Sequence, residues 1–315
     1  MTFGSLLGVA EARERLLFSI ERLDAEAVAI DTALGRVLDE DILAPQDIPP
    51  FANSSMDGYA VRATDVVTAA VESPVVMPVL ADIPAGTGLP EPLPEGAAAR
   101  IMTGAPMPSG ADAVVPIEMT DDSRQHVGVL APGEVSVFRS VEAGAYVRMA
   151  GQDMRQGEKV LPSGKLLRPQ EIGVLAAVGK SQVSVVRQPR VAILSTGDEL
   201  VEIDGVLGAG QIRDANSYTL ASLVKRSNGA ALRLGIARDQ AEHVEALLDQ
   251  ALELDVDLLL SSGGVSVGAF DYVKDVVARH GEITFWRVNM RPGAPVTFGH
   301  YKGTPFLGVP GNPAS

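Results

Sequence analysis

Between residues 187 and 315, short apolar runs of β type alternate with amphipathic stretches of helical period, and this alternation constrains the fold more than any other feature. The pattern predicts strands at 191–194, 231–236, 256–260, 283–288 and 305–309. It predicts helices at 217–226, 241–252 and 271–280, the second with Val244, Leu247, Leu248 and Ala251 on one face. Parallel neighbours need crossover connections, which helices supply, so the reading is a doubly wound, mostly parallel α/β sandwich. Sheets of this kind hold ligands beyond the carboxyl ends of their strands. Motifs that follow these strands are therefore the first place to look for chemistry.

The remainder of the chain has other punctuation. Val9, Ala12, Leu16, Leu17, Ile20 and Leu23 predict an amphipathic helix over 9–23, and a second short helix fits 32–38. Pro45, Pro49 and Pro50 then exclude a helix interior. Over 52–145, short apolar runs at 59–61, 75–80, 113–116 and 127–130 are separated by Gly and Pro, which suggests a small β domain. Pro169 suits the first turn of a helix reaching about Val178, closed by Gly179. The expected organisation is a discontinuous helical and mixed linker domain (1–51 plus 146–186), a small β domain (52–145) and the α/β domain (187–315).

Composition removes several function classes. Lys and Arg number 26 against 40 Asp and Glu, a net charge of −14, so the surface repels nucleic acid and anionic lipid. An anionic substrate would need a local basic pocket. Without Cys there is no disulfide, thiolate catalysis or Cys-metal site, and the four His form no HExxH pattern. No apolar run approaches a membrane span, and charged residues from Glu11 to Arg15 interrupt the start where a secretory signal would be apolar. A cytoplasmic protein without nucleic-acid or membrane partners is expected.

Several short strings carry chemistry. Ser261-Ser262-Gly263-Gly264-Val265-Ser266-Val267-Gly268 follows a buried strand and precedes a helix, so converging N–H groups and the hydroxyls of Ser262 and Ser266 suit a phosphate or other oxyanion. A tight turn that simply needs glycine explains the string equally well. Asp271 beyond it is a helix cap or a ligand above the same turn. Glu199, in Ser195-Thr196-Gly197-Asp198-Glu199, and Asp239 end two other strands. Each alone reads as a polar loop, but with Asp271 they place carboxylates on one rim, suited to Mg2+. Asp57 lies in a small-residue loop, and Asp153 is framed by Arg148 and Arg155, where a surface salt bridge is the plainer reading. Arg287 and Arg291 could clamp an oxyanion or stand solvated. Pro310-Gly311-Asn312-Pro313 reads as a rigid turn able to touch substrate.

Together with Asn53-Ser54-Ser55-Met56-Asp57-Gly58-Tyr59-Ala60 and Arg100-Ile101-Met102-Thr103-Gly104-Ala105-Pro106, these strings occur in an order that resembles the molybdopterin molybdenumtransferases, the MoeA-type enzymes also seen as the E domain of gephyrin. The resemblance implies Mg2+-dependent insertion of molybdate into adenylylated molybdopterin, with AMP released and molybdenum cofactor formed. It carries over Asp57, Asp153, Glu199, Asp239 and Asp271 as catalytic carboxylates, of which Glu199, Asp239 and Asp271 are the metal set. Thr103, Ser262, Gly263, Gly264, Ser266, Arg287, Arg291, Pro310 and Pro313 follow as substrate contacts. It further implies a homodimer, with a molybdopterin adenylyltransferase and molybdoenzyme maturation factors as partners. The pattern departs from the family at Arg287 and Arg291, where Lys is common, at Ala294, often Lys, and at Gln152, usually Glu. The family's C-terminal β domain is not expected in a chain that stops at Ser315. A non-catalytic dimeric scaffold and a pterin- or nucleotide-binding protein are the competing readings.

Overall fold

The computed structural model describes residues 6–122, 130–264 and 272–314. Among these residues the α-helices are α1 (Val9–Phe18), α2 (Pro169–Ala177), α3 (Asn216–Arg226), α4 (Ala241–Glu253) and α5 (Tyr272–His280). The chain forms two compact units. One comprises Met1–Asp39, Leu166–Arg168 and Gln182–Ser315; the other comprises Glu40–Lys165 and Pro169–Ser181.

The first unit is built on a six-stranded sheet. Its strands are β1 (Arg190–Thr196), β2 (Ala230–Ala237), β3 (Leu258–Ser262), β4 (Gly281–Phe285), β5 (Thr297–Tyr301) and β6 (Thr304–Val309), in the order β2-β1-β3-β6-β5-β4. The first four of that order are parallel, and β5 runs antiparallel to both neighbours. Strand alternation sorts the side chains. Ala192, Leu194, Leu259 and Phe306 pack with Val244, Leu248, Val273 and Val277 of α4 and α5. Val191, Ile193 and Leu260 pack with Ala221 of α3 on the opposite face. Ala12 and Leu16 of α1 cover Phe285 and Phe298, and Leu307 joins that cluster to the one under α3. Helices thus cover both faces, as the alternation predicts. Phe298, Phe306 and Tyr301 are fully buried, each contributing about 1.5–3 kcal/mol of transfer free energy. The same unit holds a small antiparallel sheet in which Gln182–Val186 lies between Ala25–Ala29 and Val37–Leu38.

Three local expectations are corrected. The helix predicted over 32–38 is a single 3-10 turn, Ile30–Thr32, followed by the strand Val37–Leu38; Gly35 takes φ +77 between them, which ends helical geometry. The first helix stops at Phe18, where the Ser19 hydroxyl donates to the Arg15 carbonyl and competes with continuation. The strand predicted over 283–288 ends at Phe285, and a register shift between Ile283 and Phe285 turns Phe285 toward α1 while Ile283 joins the opposite cluster. The run at 127–130 lies mostly outside the described residues, and Leu130 is not in a strand.

The second unit contains a five-stranded sheet ordered Ala113–Pro116, Gly58–Val61, Ala98–Ile101, Val75–Ile83, Glu134–Val137. Both faces are buried, by Tyr59, Val61, Met77, Val115 and Val135 on one side and Ala60, Ile83, Ile101 and Val114 on the other. The Tyr59 hydroxyl donates to Asp122; burial, reinforced by that carboxylate, raises its pKa. At Gly58 a Cβ would sit 2.1 Å from the Val115 carbonyl oxygen, so only glycine lets these strands pair. That contact fixes where the preceding Asp57 leaves the sheet.

Candidate functional site

In the second unit, three separate sequence strings meet. The short strand Asn53–Ser54 pairs with Val147–Arg148. On its other side, the Ser54 N–H donates to the Ala105 carbonyl and the Gly104 N–H to the Ser54 carbonyl. This pairing brings Thr103 to Asp57. The Thr103 backbone N–H and hydroxyl both donate to Asp57 Oδ1, at 2.7 and 2.8 Å. One carboxylate oxygen is thereby anchored and the carboxylate plane oriented, although both residues are exposed. Arg148 Nη2 donates to Asp153 Oδ2, and the Asp153 N–H is tied to the Ile48 carbonyl. Asp153 is exposed, so this ion pair adds little stability, and its effect is to hold a charge in place.

In the first unit, the strands' carboxyl ends carry most of the remaining candidates. Glu199 folds back over Gly197, whose Cβ would lie 2.5 Å from a carboxylate oxygen. The Asp239 N–H donates to Asp198 Oδ1 at 3.3 Å, joining the loops after β1 and β2. Glu199, Ser262 and Pro313 line one small cleft with Thr196, Asp214, Asn216 and Gly311. Gly263 and Gly264 follow Ser262 at φ +88 and +67. A Cβ at Gly263 would lie 2.9 Å from both Thr196 Oγ1 and the Thr196 carbonyl, and one at Gly264 would lie 2.5 Å from Val273 Cγ2. Steric crowding therefore demands glycine at both positions, whatever the turn also binds. Ser266 and Asp271 lie outside the described residues.

Because β4 runs parallel to β6, the residues after β4 reach this same edge, two strands away from β6. Arg287 is half-buried there, while Arg291 is exposed. Pro310 is half-buried in the turn after β6.

Two residues of the cleft escaped the sequence reading. Asn216 Nδ2 donates to Ser262 Oγ at 2.7 Å and to the Gly311 carbonyl at 2.8 Å, tying α3, the end of β3 and the turn after β6 together. Asp214 is 3% exposed; its Oδ1 accepts from the Ser217 N–H at 3.1 Å, while Oδ2 has no partner among the described residues. The Asp-Ala-Asn string before a helical run carried a capping signal that could have drawn attention to both.

The donors on this rim are carboxylate, hydroxyl and carbonyl oxygens without His or Cys, which is the ligand chemistry of a hard divalent cation. Among the described residues, no group of three or more His, Cys, Asp or Glu is gathered closely enough to hold a metal alone. No helix among them is long and apolar enough to cross a membrane.

The family model of the MoeA N-terminal region (domain I and II) matches residues 7–179, and that of a probable molybdopterin binding domain matches 192–315. A molybdopterin molybdenumtransferase 2 of Mycobacterium tuberculosis is 40% identical over 295 residues, covering 91% of this chain and 70% of its own length. A molybdopterin molybdenumtransferase of Nostoc is 42% identical, covering 93% and 66%. The crystal structure of a molybdopterin biosynthesis MoeA protein from Pyrococcus horikoshii OT3 superposes with a TM-score of 0.81 at 32% identity, covering 99% of this chain and 75% of that one. By its two matching regions, its relatives and its fold, the chain belongs to the molybdopterin molybdenumtransferase family.

Proposed function

We propose that the protein transfers molybdenum into adenylylated molybdopterin, consuming molybdate and releasing AMP. The family relationship carries this reading, and the strand-end cleft supports it. That cleft combines Glu199, the Ser262 hydroxyl and a glycine turn in a unit whose ligand edge is set by four parallel strands. Ser262, oriented by Asn216, and N–H groups of the Gly263-Gly264 turn position the substrate's phosphates. Arg287 and Arg291 bind anionic oxygens, offsetting locally the charge of an acidic chain. Asp57, its plane fixed by Thr103, orients water or moves a proton through its unanchored oxygen. Asp153, held by Arg148, serves the same proton economy. Mg2+ would be held by Glu199, Asp239 and Asp271 and would offset phosphate charge during cleavage of the anhydride. The same reading makes the protein a cytoplasmic homodimer that receives its substrate from a molybdopterin adenylyltransferase and hands its product to maturation factors.

The test is AMP release from adenylylated molybdopterin with molybdate and Mg2+. Asp57→Asn should lower kcat/KM by at least about a hundredfold, the scale of a lost proton-transfer group. Thr103→Val, which removes the hydroxyl but not the N–H, should cost about five- to tenfold, as one charge-assisted hydrogen bond at an exposed site. No AMP release by the wild-type chain, or full activity in Asp57→Asn, would overturn the reading.

A further inference from the structure

Buried charge in this chain is compensated with one exception. Among the described residues, four charged side chains are buried: Arg36, Arg100, Glu171 and Asp214. Arg36 faces Glu26, Arg100 faces Asp82 and Glu171 faces Lys165. Asp214 is the least exposed of the four, at 3%, and has no ion pair among the described residues. Its Oδ1 accepts from the Ser217 N–H, and the first turn of α3 supplies only partial positive charge. Its Oδ2 has no hydrogen-bond partner among the described residues. An ionised carboxylate in such a place opposes folding unless a countercharge meets it.

The surrounding side chains do not supply that countercharge. The cleft that Asp214 lines, between the end of β1 and the start of α3, has one basic residue among the described residues, Arg213. Its Nε donates to the Ile203 carbonyl and its Nη2 to the Gly205 carbonyl, so the guanidinium is engaged by the loop after Glu202. Thr196, 7% exposed, lines the same cleft, and its Oγ1 is likewise buried without a hydrogen-bond partner among the described residues. Glu199 adds a second carboxylate, exposed at the rim. Backbone pairing holds both acids here. The Ile212 N–H donates to the Glu199 carbonyl at 2.8 Å and the Asp214 N–H to the Val201 carbonyl at 3.0 Å. Two carboxylates and a hydroxyl, without thiolate or imidazole, match one hard divalent cation in both charge and ligand type.

We propose that Asp214 is a ligand of a divalent cation such as Mg2+, held from inside the cleft by Asp214 and Thr196 and from the rim by Glu199. Asp214 lies outside the carboxylate set that the family resemblance carries over, and its burial gives the cation a reason to bind that the exposed acids do not. This deepens the functional reading above, resting on it for what the cation does but not for whether the cation binds.

The chelator-treated full chain is titrated with Mn2+ alone, a paramagnetic stand-in for Mg2+, and the free ion is counted by its spin-resonance signal. Asp214→Asn keeps the side chain's shape and the oxygen that accepts from Ser217, but removes the charge. It should weaken Mn2+ binding by at least about tenfold, the scale on which even outer-shell partners of a metal act. Mg2+ should raise the wild-type urea midpoint at constant ionic strength, K+ should not, and Asp214→Asn should lose that gain. In chelator, Asp214→Asn should unfold at a higher urea concentration than wild type, because the unpaired charge is gone. No Mn2+ bound by wild type, an unchanged Mn2+ affinity in Asp214→Asn, or an Asp214→Asn chain less stable than wild type in chelator overturns the proposal. AMP release measured on the same samples separates the two readings. A cation bound through Asp214 by a chain that releases no AMP removes the molybdenum-transfer reading and leaves the cation site. Mg2+-dependent AMP release, with Mn2+ binding lost in Asp239→Asn but kept in Asp214→Asn, does the reverse.

Discussion

Gly264→Ala is the substitution whose cost follows most directly from the structure. The residue sits at φ +67, where an L side chain costs about 1–2 kcal/mol. The added methyl would lie 2.5 Å from Val273 Cγ2 and 3.0 Å from Thr196 Oγ1. Val273 is fully buried in the cluster under α4 and α5 and cannot swing aside without repacking, which adds about 1–3 kcal/mol. The sum is a loss of about 2–5 kcal/mol, concentrated in the α/β unit. Two other glycines separate the contributions. Gly303 has φ +89 but nothing within 4 Å of its Cβ position, so Gly303→Ala should lose only the conformational part. Gly173, exposed inside α2 with open space around it, should gain about 0.5–1 kcal/mol on replacement by Ala. Urea unfolding followed by circular dichroism and by Trp286 emission gives all three midpoints. If Gly264→Ala loses no more stability than Gly303→Ala, the close approach of Val273 is not a constraint, and the steric account of the Ser-Gly-Gly turn is wrong.

Two further outcomes follow from the same unit. Asp257 accepts from both terminal nitrogens of Arg187 and from the Arg190 N–H; burial pushes its pKa up, but these donors and charges outweigh burial and hold it below the usual range. Its stabilisation is therefore present in full above the unfolded carboxyl's pKa of about 3.9 and is lost as pH falls from there through the lower folded value. Asp257→Asn should destabilise by about 1–3 kcal/mol at pH 7, and the gap from wild type should close at acid pH in melts run across that window; a pH-independent gap would contradict this. Asn216→Ala removes both bonds that join Ser262 and Gly311, so it should cost about 2 kcal/mol in urea and raise KM for the pterin substrate, whereas an unchanged midpoint and KM would show that the tie is dispensable.

The α/β unit was legible where periodicity had a tertiary cause. Strands β1 and β3 are buried on both faces and read as unbroken apolar runs, and α4 shows one apolar face because only one face is covered. Strand β5 was not legible, since its turn to β6 is Lys302-Gly303. Both residues adopt positive φ, as a two-residue hairpin requires, but Lys in the first place hides the usual Asn-Gly signature. The strand Ala25–Ala29 was hidden too. Its Ala and Glu favour helix, and pairing with Gln182–Val186 overrides them. Among the site residues, Asp57 and Thr103 stood out by motif, yet their hydrogen bonds depend on strand pairing between segments nearly 50 positions apart. Asn216 offered only the look of an ordinary helix start, because its two partners arrive from β3 and from the end of the chain.

The packing of α1 on Phe285, Val288 and Phe298 sets a timetable for synthesis. The first helix is synthesised well before the strands it covers, which follow some 270 residues later, roughly 15–50 s at ordinary elongation rates. The intervening Glu40–Lys165 unit has its own two apolar clusters and can close meanwhile. Until β4 and β5 arrive, Leu16 and Ala12 stay wet beside Leu17 and Phe18, which remain open to water even in the finished protein. A nascent chain thus carries an uncovered apolar helix throughout that interval, and this helix is where a holdase would be expected to grip.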